Sequence, residues 1–478
     1  MNMADSTIDN GDGPTHATVF IWVFAVSAIW HYTSSAGEIM NYWFRYDPLV
    51  TPLVFLSIAT AFIAACYPHR TAALMLMSCA QLLTIALRFP FVADHLVMEL
   101  FLNVAIVLSF CYLAIKRQTL KISTTDLFQL FGSVGRWLLI MMYFFGTFHK
   151  LNPGFMSLAS SCAISFIDGF PIPEGLREQA WLQYAAIYGT LIVEAAAMLL
   201  LFSARTKYFG MLLGMSFHFI VGISGYGTLA HFSAFAMALH ILFVPSGFGA
   251  RLCKEPLIPQ FLKRPVNFKA ATVLLIVLQV LFALHMATTR EGYLVNTLFA
   301  VFAVTLMFLV FKYGQIQRGD AAYRLKARPM FLNVVPVLYF VHCLGPYIGL
   351  GSAGALSMFS GLRTEGGISN HYIIRRPIPL FPYQDKVIYI EKATNSSMQA
   401  AADANQGVVL FDFQRHIAYR ERLIGPIRLR VENIRYDIRG SDALLAFAEE
   451  HFVEQNWFER KYMSFRLVDD PFPKRCRH

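Results

Sequence analysis

Long apolar runs recur along most of this chain, LVFLSIATAFIAAC (53–66) and LIVEAAAMLLLF (191–202) among them. They constrain the fold more than any other feature. A helix needs about 20 mostly apolar residues to cross a bilayer. Eleven candidate spans can be read: 17–36, 49–67, 71–87, 97–115, 135–150, 181–203, 208–224, 229–248, 271–289, 293–312 and 329–350. Composition agrees with this reading. Only 15% of the residues are charged, 56% are hydrophobic and mean hydropathy is +0.49, whereas soluble chains carry about 25% charged residues. The expected fold class is mainly α, a polytopic transmembrane helical bundle with a small C-terminal extramembrane α+β domain. The expected domains are a cytoplasmic tail (1–16), a transmembrane domain (17–350) and an extramembrane domain (351–478).

The formal charge of +10 is distributed as a topology signal. Loops after even-numbered spans hold 17 Lys and Arg, from Arg70 to Arg328. Loops after odd-numbered spans hold five: Arg45, Arg88, Lys150, Arg177 and Arg290. Positive charge stays inside, which puts the N-terminus in the cytoplasm and the region after span 11 outside. No Lys/Arg stripe is interleaved with aromatics, so nucleic acid is not an expected partner. The N-terminal MNMADSTIDNGDG lacks a basic region, so span 1 is expected to serve as an uncleaved insertion signal.

From about residue 352 the apolar runs shorten and charge rises. KVIYIEKA, GVVLFDFQRHIAYRE and IRLRVENIRYDIR alternate like strands, NSSMQAAADANQG reads as a loop, and LLAFAEEHFVEQNWFERKY reads as one amphipathic helix capped by Ser441 or Asp442. NSS at 395–397 fits a glycosylation acceptor, relevant only in a eukaryotic secretory pathway. The seven Cys form no CxxC pair and no metal spacing, so no metal is expected. Cys162, in an external loop, reads as an ordinary small residue.

Ionisable groups inside spans are expensive and usually face a partner or a cavity. Here they are Glu99, His149, Lys150, Glu194, His218, His231, His240, His285 and His342, with His95 just before span 4 and Glu38 closing span 1. His285, His342 and Glu38 read as interfacial, and Glu99 and Glu194 are open to a structural ion pair. Lys150 differs. A snorkelling Lys would anchor a helix end, but in FFGTFHKLNPGFM (144–156) the Asn, Pro and Gly force a defined turn straight after it. A desolvated Lys can also act as a base. His95 and His231 begin their spans from the same external side. His149 points elsewhere, because adjacent helical residues do not share a face.

FFGTFHKLNPGF resembles the motif of the vitamin K-dependent carboxylase and its bacterial relatives, the horizontally transferred transmembrane (HTTM) domain proteins. Glu194, the pair Phe217–His218 and the segment SMFSGLRTEGGISNHYII (357–374) follow in the family's order, over roughly 90–375. The resemblance implies that Lys150 is the base acting on a reduced vitamin K (menaquinol or phylloquinol), and that O2 and CO2 are co-substrates. His95 and His218 match family histidines, and Glu194, His231 and Asn152 are the candidate quinone-binding residues. The implied partners are membrane lipid or quinone and a peptide or protein substrate carrying Glu. Phe155 stands where the family more often has Trp, and the tail is shorter than the animal enzyme's lumenal region.

The resemblance and the topology give an expected γ-carboxylase-like lyase in a bacterial inner membrane. The alternatives are a non-catalytic membrane factor for maturing or exporting a small peptide, and a transporter. No inverted repeat or broken pair of spans favours the transporter.

Overall fold

The computed structural model describes residues 15–41, 48–170, 172–224, 227–252, 269, 272–273, 277, 293–315, 323–420, 425–469 and 476. Span 9 (271–289) and His285 lie outside these residues for nearly all their length. The described part is mainly helical. In chain order the first helices are α1 (His16–Asn41), α2 (Val50–Cys66), α3 (Thr71–Arg88), α4 (Asp94–Arg117) and α5 (Thr124–His149). Short α6 (Pro153–Met156), α7 (Cys162–Asp168) and α8 (Glu174–Arg177) lead to α9 (Ala180–Phe202). Then come α10 (Lys207–Gly222), α11 (Gly227–Ile241), α12 (Phe248–Leu252), α13 (Tyr293–Tyr313), α14 (Val334–Cys343) and α15 (Gly345–Ile348).

Among the described residues, four helices are long and apolar enough to cross a membrane: α3, α4, α5 and α9. Val50–Cys66, Leu229–Ile241, Thr297–Tyr313 and Met330–Cys343 are shorter apolar helices. Among the described residues these helices are fewer than the eleven spans expected from the sequence, and span 9 lies outside them. Span 8 stops at Ile241 before the Pro245 turn, and span 11 breaks at Leu344 before Pro346. On α9, Ile187, Leu191, Glu194 and Ala197 form a buried stripe, while Trp181, Tyr184, Tyr188, Ile192 and Leu199 are exposed. An exposed apolar helix face of this kind suits lipid rather than water.

The chain forms two compact units. Unit 1 comprises Met1–Thr84, Leu102–Leu139 and Leu199–Asn333. In it α1 packs on α2 and α11, and α13 packs on α10 and α11. Unit 2 comprises Ile85–Phe101, Ile140–Met198 and Val334–His478. The boundary drawn at 351 from composition thus runs through the middle of unit 2, and the C-terminal region shares that unit with helical segments.

The C-terminal region carries a five-stranded antiparallel sheet in the order β4-β3-β1-β2-β5. The strands are β1 (Val387–Ala393), β2 (Gln406–Val409), β3 (Ile427–Val431), β4 (Ile434–Ile438) and β5 (Val468–Asp469). A two-residue turn joins β3 to β4, with Glu432 at φ 53° as the primed hairpin turns require. Three expectations change here. NSSMQAAADANQG contains helix α16 (Ser396–Asp403), because Asn395 Oδ1 accepts from the Met398 N–H and Met398 packs on the sheet. After four residues of β2 the chain turns helical as α17 (Leu410–Arg420), where Leu410, Phe413 and Ile417 make a helical stripe against Ile388 and Leu429. The expected long helix is two, α18 (Ser441–His451) and α19 (Trp457–Tyr462). Gly440 rather than Ser441 or Asp442 stands at the start of α18, and a capping box between Asn456 and Glu459 restarts the chain as α19.

Candidate functional site

Lys150 follows the last residue of α5, and its position is set by the next two residues. Asn152 caps α6, its Oδ1 accepting from the Phe155 N–H at 2.9 Å, and Pro153 occupies the first helical position. The Asn152 amide also donates to the His149 carbonyl at 2.7 Å and to the Ser360 carbonyl at 2.8 Å. The turn that the sequence marks with Asn-Pro-Gly is thus both a helix start and a clamp on a distant segment.

The Lys150 ammonium donates to both oxygens of Glu194, each at 2.6 Å, and both side chains are about 90% buried, with relative exposures of 10% and 8%. Glu194 lies 14 residues into α9, about 21 Å of helix from its start. Gly146, one turn before Lys150, allows this approach: a Cβ there would stand 3.1 Å from Glu194 Oε1. Tyr143 lies on the same face of α5 and interacts electrostatically with the Glu194 carboxylate. The Phe155 ring lies 5.6 Å from Lys150 Nζ, and Phe155 packs with Ala163, Ile187 and Leu191.

His149 has separate partners. It is fully buried, with Nδ1 2.9 Å from the Tyr347 hydroxyl and Nε2 donating to the Ala355 carbonyl at 3.1 Å. It belongs to a set of side chains that satisfy a buried, non-helical segment, 352–372. His342 Nε2 donates to the Gly354 carbonyl at 2.8 Å, and the Asp94 carboxylate accepts from the Met358 N–H at 3.2 Å. Asn370 Nδ2 donates to the Gly361 carbonyl at 2.9 Å, and the Tyr372 N–H donates to the Leu151 carbonyl at 2.9 Å. Irregular backbone out of reach of water needs such partners. Gly361 has φ 65°, and a Cβ there would stand 3.0 Å from Phe155 N, so a side chain would push the segment off the turn.

Sequence reasoning missed two features. His371 donates from Nε2 to the Phe148 carbonyl at 2.8 Å, while its Nδ1 accepts from the Ile373 and Ile374 N–H groups at 3.2 and 3.0 Å. Burial lowers its pKa from the ordinary 6.5. The second is a disulfide joining Cys162, at the start of α7, to Cys476. Cys162 is therefore not the ordinary loop residue that its sequence suggests. Both cysteines fall in the expected external regions, and that was the available signal.

The structure brings together Lys150, Glu194 and Asn152. His95 is buried in the first turn of α4 in the same unit. His218 and His231 belong to unit 1. There the His218 ring lies 5.3 Å from Phe232 and 5.9 Å from His240, and the His231 ring lies 6.2 Å from His31. Among the described residues, no group of three or more His, Cys, Asp or Glu is arranged to hold a metal. No family model, curated protein or solved structure matches the chain.

Proposed function

We propose that the chain is a polytopic membrane enzyme of the vitamin K-dependent carboxylase type, with Lys150 as its base. The observation that carries this reading is the buried Lys150–Glu194 pair beside the KLNPGF turn. Moving one proton along either 2.6 Å bond turns ammonium and carboxylate into amine and acid. Both products are neutral, so an amine lone pair is presented without stranding a buried charge. This donor set, with the Phe155 ring beside it, fits the hydroxyl of a reduced quinone. A menaquinol or phylloquinol, with O2, would supply the strong base that lets CO2 add at the γ-carbon of a peptide glutamate. Glu194 takes the first proton and stays a neutral acid, and the Lys150 amine then takes the initiating proton from the quinol. The ammonium so formed faces the quinol anion, and Asn152 fixes where the helix stops. His95 and His218 are further candidates by family position alone, as Glu194 and His231 are for quinone binding.

Eleven spans in a bacterial inner membrane, with the C-terminal region outside, belong to the same proposal. The Cys162–Cys476 disulfide supports that orientation, because such bonds persist in oxidising compartments and not in the cytosol.

The test supplies reduced vitamin K, CO2 and a Glu-containing peptide to the purified chain in lipid and measures epoxide and carboxyglutamate. Lys150→Ala should lose roughly 10²-fold or more of the activity, as removal of a general base does. Wild type inactive with every quinol sinks the carboxylase reading and leaves the non-catalytic and transport alternatives. Full activity in Lys150→Ala sinks the base assignment alone.

A further inference from the structure

Two exposed apolar features of the C-terminal region are bonded to the ends of apolar helices. The first is the loop HYIIRRPIPL (371–380). Its Tyr372 N–H donates to the Leu151 carbonyl just past α5, and its Ile378 and Leu380 N–H groups donate to the Tyr347 and Ile348 carbonyls of α15, at 2.8–2.9 Å. The second is α19. Its Lys461 Nζ donates to the Leu87 carbonyl of α3 at 2.7 Å, its Tyr462 stacks on Phe89, and the Tyr462 hydroxyl bonds His342 of α14.

All these helix ends lie on the external side of the topology. The loop through its backbone and α19 through its side chains are held at their level, and their exposed side chains stand where the bilayer ends. Ile373, Ile378, Leu380, Trp457 and Phe458 are 57–79% exposed, too much apolar surface for water at two places. Arg375 and Arg376 accompany the first group, and Arg460 the second. Aromatic and aliphatic tips with basic neighbours are the composition of segments that lie in a membrane interface and meet anionic headgroups.

We infer that the C-terminal region docks onto the outer leaflet through two feet, the loop 372–380 and helix α19, whose apolar side chains enter the headgroup–acyl boundary. The partner is the lipid surface of the membrane that the helices cross. The sheet is then held flat over the ends of α3, α5 and α14 instead of swinging from a linker. The inference rests on the membrane reading above, and its test keeps the two separable.

Benzoylphenylalanine is placed singly at Ile373, Ile378 or Phe458 in the full chain, with Ile192 on the exposed face of α9 and Ile434 on the edge strand β4 as references. Each variant is irradiated in vesicles of phosphatidylethanolamine and phosphatidylglycerol, and lipid adducts are read by mass spectrometry. Adducts are expected at 373, 378, 458 and 192, with at least fivefold less at 434. Adducts at 192 but at none of the feet overturn the docking and spare the membrane reading; none at 192 sinks the membrane reading itself. Equal yield at 434, or crosslinks from the feet to a second protein chain, also overturn the docking. Independently, the emission lost in Trp457→Phe should be the component that brominated acyl chains quench at least twofold in wild type; an unquenched component argues against burial of α19 in lipid.

Discussion

The sharpest energetic feature at the residue scale is a cation and an anion taken out of water together. Lys150 and Glu194 are each about 90% buried and meet at 2.6 Å through both carboxylate oxygens. Such a pair is weak evidence for stability, because desolvation offsets most of the attraction, yet breaking it strands a charge at about 3–5 kcal/mol. Glu194→Gln should therefore lower the unfolding temperature in detergent more than the double variant Lys150→Met/Glu194→Leu, which leaves no charge behind. If the double variant unfolds at the same temperature as Glu194→Gln or below it, the pair does not carry the cost assigned to it. The sequence marked both residues but left Glu194 open between ion pairing and quinone binding. Spacing along two different helices cannot say which residues meet, and Gly146, which permits the approach, is an unremarkable glycine in a run of Phe.

At the scale of elements, the segment 352–372 has no regular secondary structure, yet much of it is buried. Side chains from three helix ends supply its hydrogen bonds, and His371 closes it. His371 Nδ1 accepts from two backbone N–H groups while Nε2 donates, an arrangement that only the neutral ring can make. Burial depresses its folded pKa below 6.5, so the unfolded chain binds the proton first on acidification. The stabilisation is complete above the unfolded value and is lost as pH falls through the folded one. Protection of the Ile373 and Ile374 amides, measured against their intrinsic exchange rates, should be high at pH 8 and fall below about pH 6.5, and His371→Gln should abolish that transition. Exchange that follows the intrinsic trend alone would remove His371 as the latch. Helix α17 shows why local reading failed nearby. VVLFDFQRHIA satisfies a strand alternation and a helical stripe equally, and contact of Leu410, Phe413 and Ile417 with Ile388 and Leu429 of the sheet selects the helix.

For the whole molecule, the Cys162–Cys476 bond spans 314 residues and ties Cys476 to the start of α7. Reduction, or Cys476→Ser, should destabilise the folded chain by about 2 kcal/mol, the low end for a native disulfide because helices already restrict the denatured chain. A non-reducing digest should yield the linked peptides; free thiols at both positions in protein taken from intact cells would count against the external placement. The sequence by itself determined the helical, apolar character of the chain, the change of composition near 352, and Lys150 as the polar group least explained by its surroundings. Those are local properties: hydropathy, charge and turn chemistry are written residue by residue. Only the tertiary structure decided that Glu194 is the partner of Lys150, that His149, Asn152 and His342 serve a distant irregular segment, and that the C-terminal region shares a compact unit with helical segments. These follow from which surfaces meet, and burial of polar backbone far from water leaves each such group one acceptable partner that no local pattern names.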